Sequence, residues 1–330
     1  MPIPSRRFRC CRTTAYRSLP DFNIVGVFDM QIALSQPFSS AEQRKSMAPF
    51  AAQLLAQGYV VLRQVVPPML IHHCVEELEG RFQQTPFCEG VFYGGLTKRF
   101  GCVLRHSHTA AQLVQHPLVL AITETVLGPY CDTIQLNLSQ GIEIHPDAPA
   151  QFPHRDQDMW SGPKGEIEYL VNVMWPFTDY TPENGSTVIW PSSHRWSPDA
   201  MPDQYDPGMS LSLDPGDVLL FLGSTLHNGG ANTSREVRRG MIVSYSLGWL
   251  KSFENQFLAY PPDVARNFDP GLAALIGYRQ HRPNLGNYEG QSPAILLGDD
   301  VPSHLAATDA LRPDHQAMVD AYISNVAKAA

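Results

Sequence analysis

Apolar residues in the first third of the chain recur with the period of helices, and one short strand pattern interrupts them. The spacing of four between Leu70, Cys74 and Leu78 is typical of an amphipathic helix with one buried face. A capping sequence at 40–43 and a Gly-Pro stop at 128–129 mark where two other helices begin and end. The predicted elements are helices at 41–57, 69–84 and 116–127 and a strand at 58–62.

The middle of the chain changes to strand patterns. Short runs rich in Val, Ile, Leu and aromatic residues alternate with Gly and Pro turns, which is typical of a mainly β fold. The pattern predicts a double-stranded β-helix, or jelly roll, with flanking α-helices. With 43% hydrophobic residues in 330, residues 30–330 are predicted to form one domain. The predicted elements are strands at 133–144, 167–177, 187–190, 218–222 and 241–249, and a helix at 313–328.

Residues 1–29 differ from the rest of the chain. They contain five arginines and show little apolar periodicity. The segment is therefore predicted to be a disordered N-terminal extension or an over-extended start. An Arg-rich transit peptide is the alternative.

Composition excludes several classes of partner. A formal net charge of −8 argues against nucleic acid or an anionic membrane as a ligand. No run of about 18 apolar residues is present, which excludes a spanning helix. The six cysteines show no CxxC spacing and follow no signal-peptide pattern, so a reduced cytoplasmic protein is expected.

Two His-x-Asp pairs are the candidate metal-binding motifs. Residues two apart in an extended segment point to the same side, so His154 and Asp156 can supply two ligands. A turn at 214–217 and an apolar strand pattern then lead to His227, which completes a 2-His-1-carboxylate set suited to Fe(II). The other pair begins at His145 and lies among prolines that favour a loop.

A basic residue follows the distal histidine on a further strand pattern. Arg238 and the neighbouring Arg239 come after a polar loop at 228–234. A guanidinium that faces the same cavity as His227 would bind a carboxylate through two hydrogen bonds. Because side chains alternate along a strand, at most one of the two arginines is expected to do so.

Several ordered motifs together resemble the phytanoyl-CoA dioxygenase family of Fe(II)/2-oxoglutarate oxygenases. Within it they are similar to the branch that contains fungal meroterpenoid and indole-alkaloid oxygenases. The resemblance covers roughly residues 45–290, and its specificity exceeds that of any single motif. The motifs are Ala150-Gln151-Phe152-Pro153-His154-Arg155-Asp156, Glu183-Asn184-Gly185-Ser186-Thr187 and Ser193-His194-Arg195-Trp196.

The resemblance implies a role for each site residue. It places His154, Asp156 and His227 on the iron ligands, which are also the catalytic centre. It places Arg238 on the arginine that binds the far carboxylate of the co-substrate 2-oxoglutarate. Thr187 falls on a hydroxyl residue that assists this arginine. Gln151 falls on an amide that contacts the metal-proximal end of the co-substrate.

The implied activity is oxidation, above all hydroxylation, of a small and largely apolar metabolite, with O2 consumed and succinate and CO2 released. The presence of Asp156 favours hydroxylation, desaturation, epoxidation or rearrangement over halogenation, because related halogenases lack this carboxylate. The resemblance also admits a homodimer. An apolar substrate pocket is expected from aromatic residues at 92, 93, 160, 175 and 253.

Two other classes of function remain open from the residues alone. A Zn(II) hydrolase would use the same ligands with an activated water and a general-base glutamate, for which Glu143 and Glu168 are candidates by position. A non-catalytic jelly-roll binding protein would not need all three ligands. The Gly-rich segment at 92–99 is either a lid over the site or a plain loop.

Overall fold

The computed structural model describes residues 37–203 and 205–329, in which two β-sheets pack face to face. The strands are β1 (Tyr59–Leu62), β2 (Thr97–Phe100), β3 (Ile134–Ile144), β4 (Leu170–Pro176), β5 (Thr187–Ile189), β6 (Met209–Ser210), β7 (Val218–Leu222), β8 (His227–Gly229) and β9 (Arg238–Leu247). The helices are α1 (Ala41–Gln57), α2 (Pro68–Gln84), α3 (His108–Val114), α4 (Pro117–Leu127), α5 (Gln256–Ala259), α6 (Pro262–Ala265), α7 (Pro270–Leu275) and α8 (Pro313–Ala329).

The larger sheet has the strand order β1-β7-β4-β9-β3-β2, and all its neighbours are antiparallel. The smaller sheet has the order β6-β5-β8. Most neighbours in these sheets, such as β1 and β7 or β3 and β9, are distant in sequence, as expected when a jelly roll folds back on itself. The predicted mainly β jelly roll with flanking helices is therefore confirmed.

Each face of the larger sheet has its own apolar core. Along β4 every residue is buried, because helices cover one face and the smaller sheet covers the other. Val173 and Trp175 pack on the outer face, in the core that the helices share. Met174 points the opposite way and packs with Ile242 between the two sheets. Side chains from both sheets meet in the space between them.

The helices and the strand that were predicted in the first third of the chain are confirmed, with boundaries that differ by one residue at most. Ser40 caps α1 through a hydrogen bond to the backbone of Gln43, and the Gln43 side chain bonds back to the Ser40 backbone. Gly58 ends the helix with φ +84°, a conformation that glycine adopts without strain. The predicted strand at 218–222 matches β7 residue for residue.

Other elements have boundaries that differ from the predicted ones. The last long strand runs over Arg238–Leu247 rather than 241–249. The segment 97–100, predicted as part of a Gly-rich loop, is the edge strand β2, which pairs with the end of β3. Its central residues are Lys98 and Arg99, so no apolar alternation marked it as a strand. The short helix α3 and the three between 256 and 275 were also not predicted.

The route from β7 to His227 also differs from the prediction. We expected the strand at 218–222 to deliver this histidine directly. Instead a turn follows, in which Thr225 N donates to Leu222 O at 3.0 Å, and the chain crosses to the smaller sheet. His227 begins β8 there, whereas Arg238 begins β9 in the larger sheet. The two residues therefore lie on opposite sheets and not on neighbouring strands.

The prediction for residues 1–29 falls outside the described residues. The four cysteines that the structure describes, at 74, 88, 102 and 131, are free. Among the described helices, none combines the length and the apolar character that crossing a bilayer requires.

Candidate metal centre and its cavity

The two histidines of the predicted triad are paired through their backbones. His154 N donates to His227 O at 3.0 Å, and His227 N donates to His154 O at 3.1 Å. This antiparallel bridge ties the segment at 154 to β8 and brings the imidazole centroids to 4.4 Å. Asp156 does not continue the extended segment, because it opens a 3-10 turn at 156–159. Its carboxylate still converges with the two rings.

One nitrogen of each imidazole is already engaged by a backbone carbonyl. His154 Nδ1 lies 2.8 Å from Phe152 O, and His227 Nδ1 lies 3.0 Å from Thr225 O. A carbonyl oxygen only accepts, so both Nδ1 atoms carry the proton and both Nε2 atoms are left to bind a cation. Each Nε2 lies 3.4 Å from an oxygen of Asp156.

The donor set fits an iron ion. Two imidazole nitrogens and one carboxylate oxygen, all within 4.8 Å of one another, form the 2-His-1-carboxylate arrangement. Burial acts to raise the pKa of Asp156, but its interactions with His227 and His154 hold that pKa well below its usual range. The carboxylate is therefore ionised at neutral pH, as metal binding requires.

A neighbour that the sequence did not reveal orients this carboxylate. Asn172 Nδ2 donates to Asp156 Oδ2 at 2.8 Å. Asn172 lies on the inner face of β4 and is almost completely buried. Hydrogen bonds of this kind fix the orientation of metal ligands. The signal in the sequence was one polar residue in an otherwise apolar run, Leu170-Val171-Asn172-Val173-Met174.

The cavity beside the triad contains a buried arginine. Arg238 is 3% exposed, and its guanidinium carbon lies 4.0 Å from the centroid of the Tyr180 ring. Its Nε has no hydrogen-bond partner among the described residues. A buried cationic donor without a partner is costly unless a ligand satisfies it. The geometry therefore indicates an anion site beside Arg238 in the cavity.

The neighbouring arginine points the other way. Arg239 lies opposite Glu143 in the β3–β9 ladder and binds it at 2.6 Å, and it binds Glu79 at the same distance. Burial acts to lower the pKa of Arg239, but hydrogen bonds to the two glutamates raise it above its ordinary value. Because side chains alternate along β9, Arg238 faces the cavity and Arg239 faces the outer surface.

The two remaining predicted residues also line the cavity. Thr187 begins β5 and is 4% exposed. Gln151 is fixed by its backbone, since its N–H donates to Gly229 O at 2.8 Å. The structure thus brings together all six residues that the sequence selected, at 151, 154, 156, 187, 227 and 238.

The alternative acidic residues lie elsewhere. Glu143 binds His145 at 2.6 Å on the outer side of the sheet. Glu168 accepts a hydrogen bond from Ser224 Oγ, and burial raises the pKa of its carboxyl. Among the described residues that line the cavity, Asp156 alone carries a carboxylate.

A second arginine was missed because its strand was missed. Arg99 lies on β2, on the cavity side of the sheet, with its guanidinium carbon 5.0 Å from the Tyr93 ring centroid. Burial lowers the pKa of Arg99, and the negative charge of Asp156 counteracts this effect in part. Its Nε has no described hydrogen-bond partner. Recognition of β2 would have identified Arg99, since alternation assigns Arg99 and Lys98 to opposite faces.

The aromatic residues expected at the pocket divide into two groups. Phe92 and Tyr93 line the cavity mouth, and the Phe92 ring lies 4.9 Å from that of His154. The other three do not line it. Trp175 is fully buried in the outer core, and Trp160 Nε1 donates to Lys251 O. Phe253 borders a different cavity. The prediction was wrong for these three because aromatic content alone does not specify which core a side chain joins.

Comparison with known proteins agrees with this geometry. A model of the phytanoyl-CoA dioxygenase family matches residues 54–240. The dioxygenase aneA of Aspergillus aculeatus is 30% identical, and the match covers 70% of this chain and 83% of that protein. The dioxygenase trt7 of Aspergillus terreus is 27% identical over 69% of this chain and 83% of its own.

Solved structures share the fold at lower identity. The α-ketoglutarate-dependent epimerase SnoN is 18% identical with a TM-score of 0.52, and the match covers 62% of this chain and 84% of that one. EctD from S. alaskensis is 17% identical with a TM-score of 0.51, covering 63% and 79%.

Proposed function

Because the chain belongs to the phytanoyl-CoA dioxygenase family of Fe(II)/2-oxoglutarate oxygenases, we propose that it hydroxylates a small, largely apolar metabolite and releases succinate and CO2. The observation that carries the proposal is a single cavity that contains three converging metal donors and a buried arginine whose Nε has no hydrogen-bond partner among the described residues. A metal site alone would not require the buried side chain of Arg238 beside it.

His154, Asp156 and His227 would hold the iron through Nε2, a carboxylate oxygen and Nε2. Bound Fe(II) with 2-oxoglutarate supplies the activation of O2 that oxidation of a C–H bond requires. The protein contributes fixed ligands and the exclusion of water. The carbonyls of Phe152 and Thr225 keep the two imidazoles in the tautomer that binds metal.

Arg238 would bind the far carboxylate of 2-oxoglutarate. Its guanidinium is buried, and it lies in the cavity that also contains Thr187 and Gln151. We propose that Thr187 assists this contact and that Gln151 contacts the metal-proximal end of the co-substrate. Arg99 adds a second positive charge to the same cavity, which suits a co-substrate with two carboxylates.

The substrate would enter past the aromatic mouth. Val91 is fully exposed at this mouth, and Phe92 and Tyr93 remain partly exposed beside it. Asp156 is the only described carboxylate in the cavity, so a cationic substrate would find no other anionic partner there. The exposed apolar residues at the mouth support the proposal of an apolar, uncharged substrate. Metabolites of the terpenoid or alkaloid kind meet that description.

The hydrolase alternative has less support from the structure. A Zn(II) hydrolase needs a general base within reach of the metal-bound water. Glu143 and Glu168 do not line the cavity, and a hydrolase would leave Arg238 unexplained. A non-catalytic binding protein would likewise have no need for three converging metal donors beside it.

Spectroscopy separates these functions before any substrate is known. Fe(II) and then 2-oxoglutarate would be added to the whole chain without oxygen. A weak visible charge-transfer band is expected for the oxygenase, because the co-substrate chelates the iron. Absence of the band, together with Zn(II)-dependent hydrolysis of ester or amide substrates, would overturn the proposal. Comparison of metabolites made with and without the active protein, with succinate as the matched product, then identifies the substrate.

A further inference from the structure

The ring of Tyr180 lies against the guanidinium of the buried Arg238. At 4.0 Å from guanidinium carbon to ring centroid, this is the shortest cation–π contact among the described residues, and the others range from 4.6 to 5.5 Å. The face of an aromatic ring carries its negative potential and attracts a cation most strongly where water is excluded. Tyr180 is 1% exposed and Arg238 is 3% exposed, so water is excluded here.

Tyr180 is held in place by its backbone and by its hydroxyl. Its backbone pairs with that of Leu213 through two hydrogen bonds, at 2.8 and 3.1 Å. Its hydroxyl donates to Met174 Sδ at 3.3 Å in the core between the sheets. Burial raises the pKa of the Tyr180 hydroxyl, and the positive charge of Arg238 opposes this effect only in part. The phenol therefore stays protonated at neutral pH and presents an uncharged ring.

The sequence of β9 leaves room for this ring. Residues two apart on a strand face the same side, so position 240 lies beside Arg238 on the cavity side of β9. That position is Gly240, and a Cβ there would collide with the Tyr180 hydroxyl. Gly240 is not among the described glycines with a positive φ. Its missing side chain therefore serves the close approach of Tyr180 and not an unusual backbone conformation.

An aromatic neighbour stabilises Arg238 without blocking it. A carboxylate in the place of the ring would occupy the guanidinium donors and compete with an incoming anion. A ring face attracts the charge without forming a bidentate hydrogen bond, and Arg238 Nε has no partner among the described residues. The one described carboxylate that lines the cavity is Asp156, and its oxygens lie 3.4 Å from the two histidine Nε2 atoms.

We propose that Tyr180 is a positioning residue for Arg238: its ring holds the guanidinium in place before the co-substrate binds, and so sets the affinity for 2-oxoglutarate. The inference rests on the proposed binding of the far carboxylate by Arg238. Tyr180 does not line the cavity itself, so it acts only through this arginine. A side chain that is already fixed in its bound conformation loses less entropy when the ligand arrives.

Anaerobic titration of the Fe(II)-loaded whole chain with 2-oxoglutarate, followed by the charge-transfer band, measures this affinity without turnover. Tyr180→Leu should raise the dissociation constant of 2-oxoglutarate by roughly 5- to 30-fold. Iron affinity should be unchanged. The maximal rate of succinate release should change by less than about 2-fold, so that the effect falls on KM and not on kcat. Tyr180→Phe keeps the ring and should bind 2-oxoglutarate almost as tightly as the unaltered chain.

Two controls separate the ring's negative potential from its packing. Tyr180→Phe made with ring-fluorinated phenylalanine keeps the shape of the side chain but removes the negative potential of its face. It should bind 2-oxoglutarate roughly 5- to 30-fold more weakly than ordinary Tyr180→Phe. Tyr245 is equally buried, but its hydroxyl donates to Val114 O at 2.6 Å in the outer core. Tyr245→Leu should lower the melting temperature and leave the dissociation constant unchanged.

A double variant distinguishes failure of this inference from failure of the proposed function. Tyr180→Leu should have little further effect once Arg238→Ala is present, because the ring acts through that arginine. A loss that persists in the Arg238→Ala background would overturn the positioning role. So would unaltered binding in Tyr180→Leu and in the fluorinated variant while Arg238→Ala weakens binding. No effect of Arg238→Ala would overturn the proposed co-substrate site, and this inference with it.

Discussion

The segments His145–Asp147 and His154–Asp156 share the same residue spacing but lie in different chemical surroundings. His145 binds Glu143 at 2.6 Å, and Glu143 also binds Lys98 and Arg239. Every charge in this outer cluster has a partner of opposite sign. Asp147 lies in a turn with φ +66° and is not part of a metal-binding group.

The second segment faces the cavity, and the Nε2 atoms of His154 and His227 beside Asp156 are left to bind a cation. His154 and Asp156 converge with His227 on one point. Nearby, the Nε of Arg238 has no hydrogen-bond partner in the part of the chain that the structure describes. The His-x-Asp spacing is therefore not itself a functional signal. Function is indicated where the surrounding donors converge and stay unsatisfied, and stability where they pair among themselves.

The largest expected effect comes from the triad. Substitution His154→Ala, Asp156→Ala or His227→Ala should abolish iron retention and 2-oxoglutarate turnover, because two ligands do not hold Fe(II) firmly. Metal analysis and succinate release measure the two losses. The chain without metal should melt near the temperature of the unaltered protein, since none of these side chains belongs to an apolar core.

His145→Ala is the matched control for the triad. It should retain iron and turnover, because His145 binds Glu143 on the outer side of the sheet. If His145→Ala instead removed the iron, the roles of the two segments would be reversed.

The next effect separates the two adjacent arginines. Arg238→Ala should raise the 2-oxoglutarate concentration needed for half-maximal turnover by roughly 10- to 1000-fold, since a buried bidentate contact to a carboxylate is worth about 1.5–4 kcal/mol. Arg239→Ala should leave this requirement unchanged and lower the melting temperature, because Arg239 binds Glu79 and Glu143. The opposite result would place Arg239 in the cavity.

A smaller effect is expected from the residue that orients the carboxylate. Asn172→Ala removes the 2.8 Å hydrogen bond to Asp156 and should weaken iron affinity by about 10- to 100-fold. Titration with Fe(II) under nitrogen measures the change. Asn228 is the matched control, because its side chain bonds the Gln151 carbonyl and not a metal donor. An unaltered affinity in Asn172→Ala would show that the 3-10 turn alone fixes Asp156.

The sequence allowed prediction of the features that depend on local patterns. The capping box of α1 and the buried run of β7 each follow from a few adjacent residues. The pairing of His154 with His227, in contrast, depends on a turn that carries the chain from one sheet to the other. Such long-range pairings leave no periodic signal in a single sequence.

The same limit applies to the residues that were missed. Asn172 and Arg99 lie on strands far from the triad in sequence, and their role follows only from which face each strand turns to the cavity. Arg238 was identified because a family resemblance gave its position. Alternation alone left Arg238 and Arg239 as equal candidates until the register of β9 against β3 was known.

The smallest expected effect concerns the outer cluster around Glu143 and the dependence of its stability on pH. Burial acts to raise the pKa of Glu143, but hydrogen bonds from His145 and Arg239 and the charge of Lys98 hold that pKa below its ordinary value. A folded pKa below the unfolded one gives stability that is present above about pH 4.3, the unfolded pKa, and is lost as the pH falls through the folded pKa.

Glu143→Gln should therefore lower the free energy of unfolding by about 1–3 kcal/mol at pH 7, with iron retention unchanged. The difference from the unaltered chain should shrink below about pH 4 in denaturant titrations at several pH values. Glu89 is exposed, and Glu89→Gln should change neither quantity. A constant difference at every pH would show that Glu143 stabilises this cluster through packing and not through its charge.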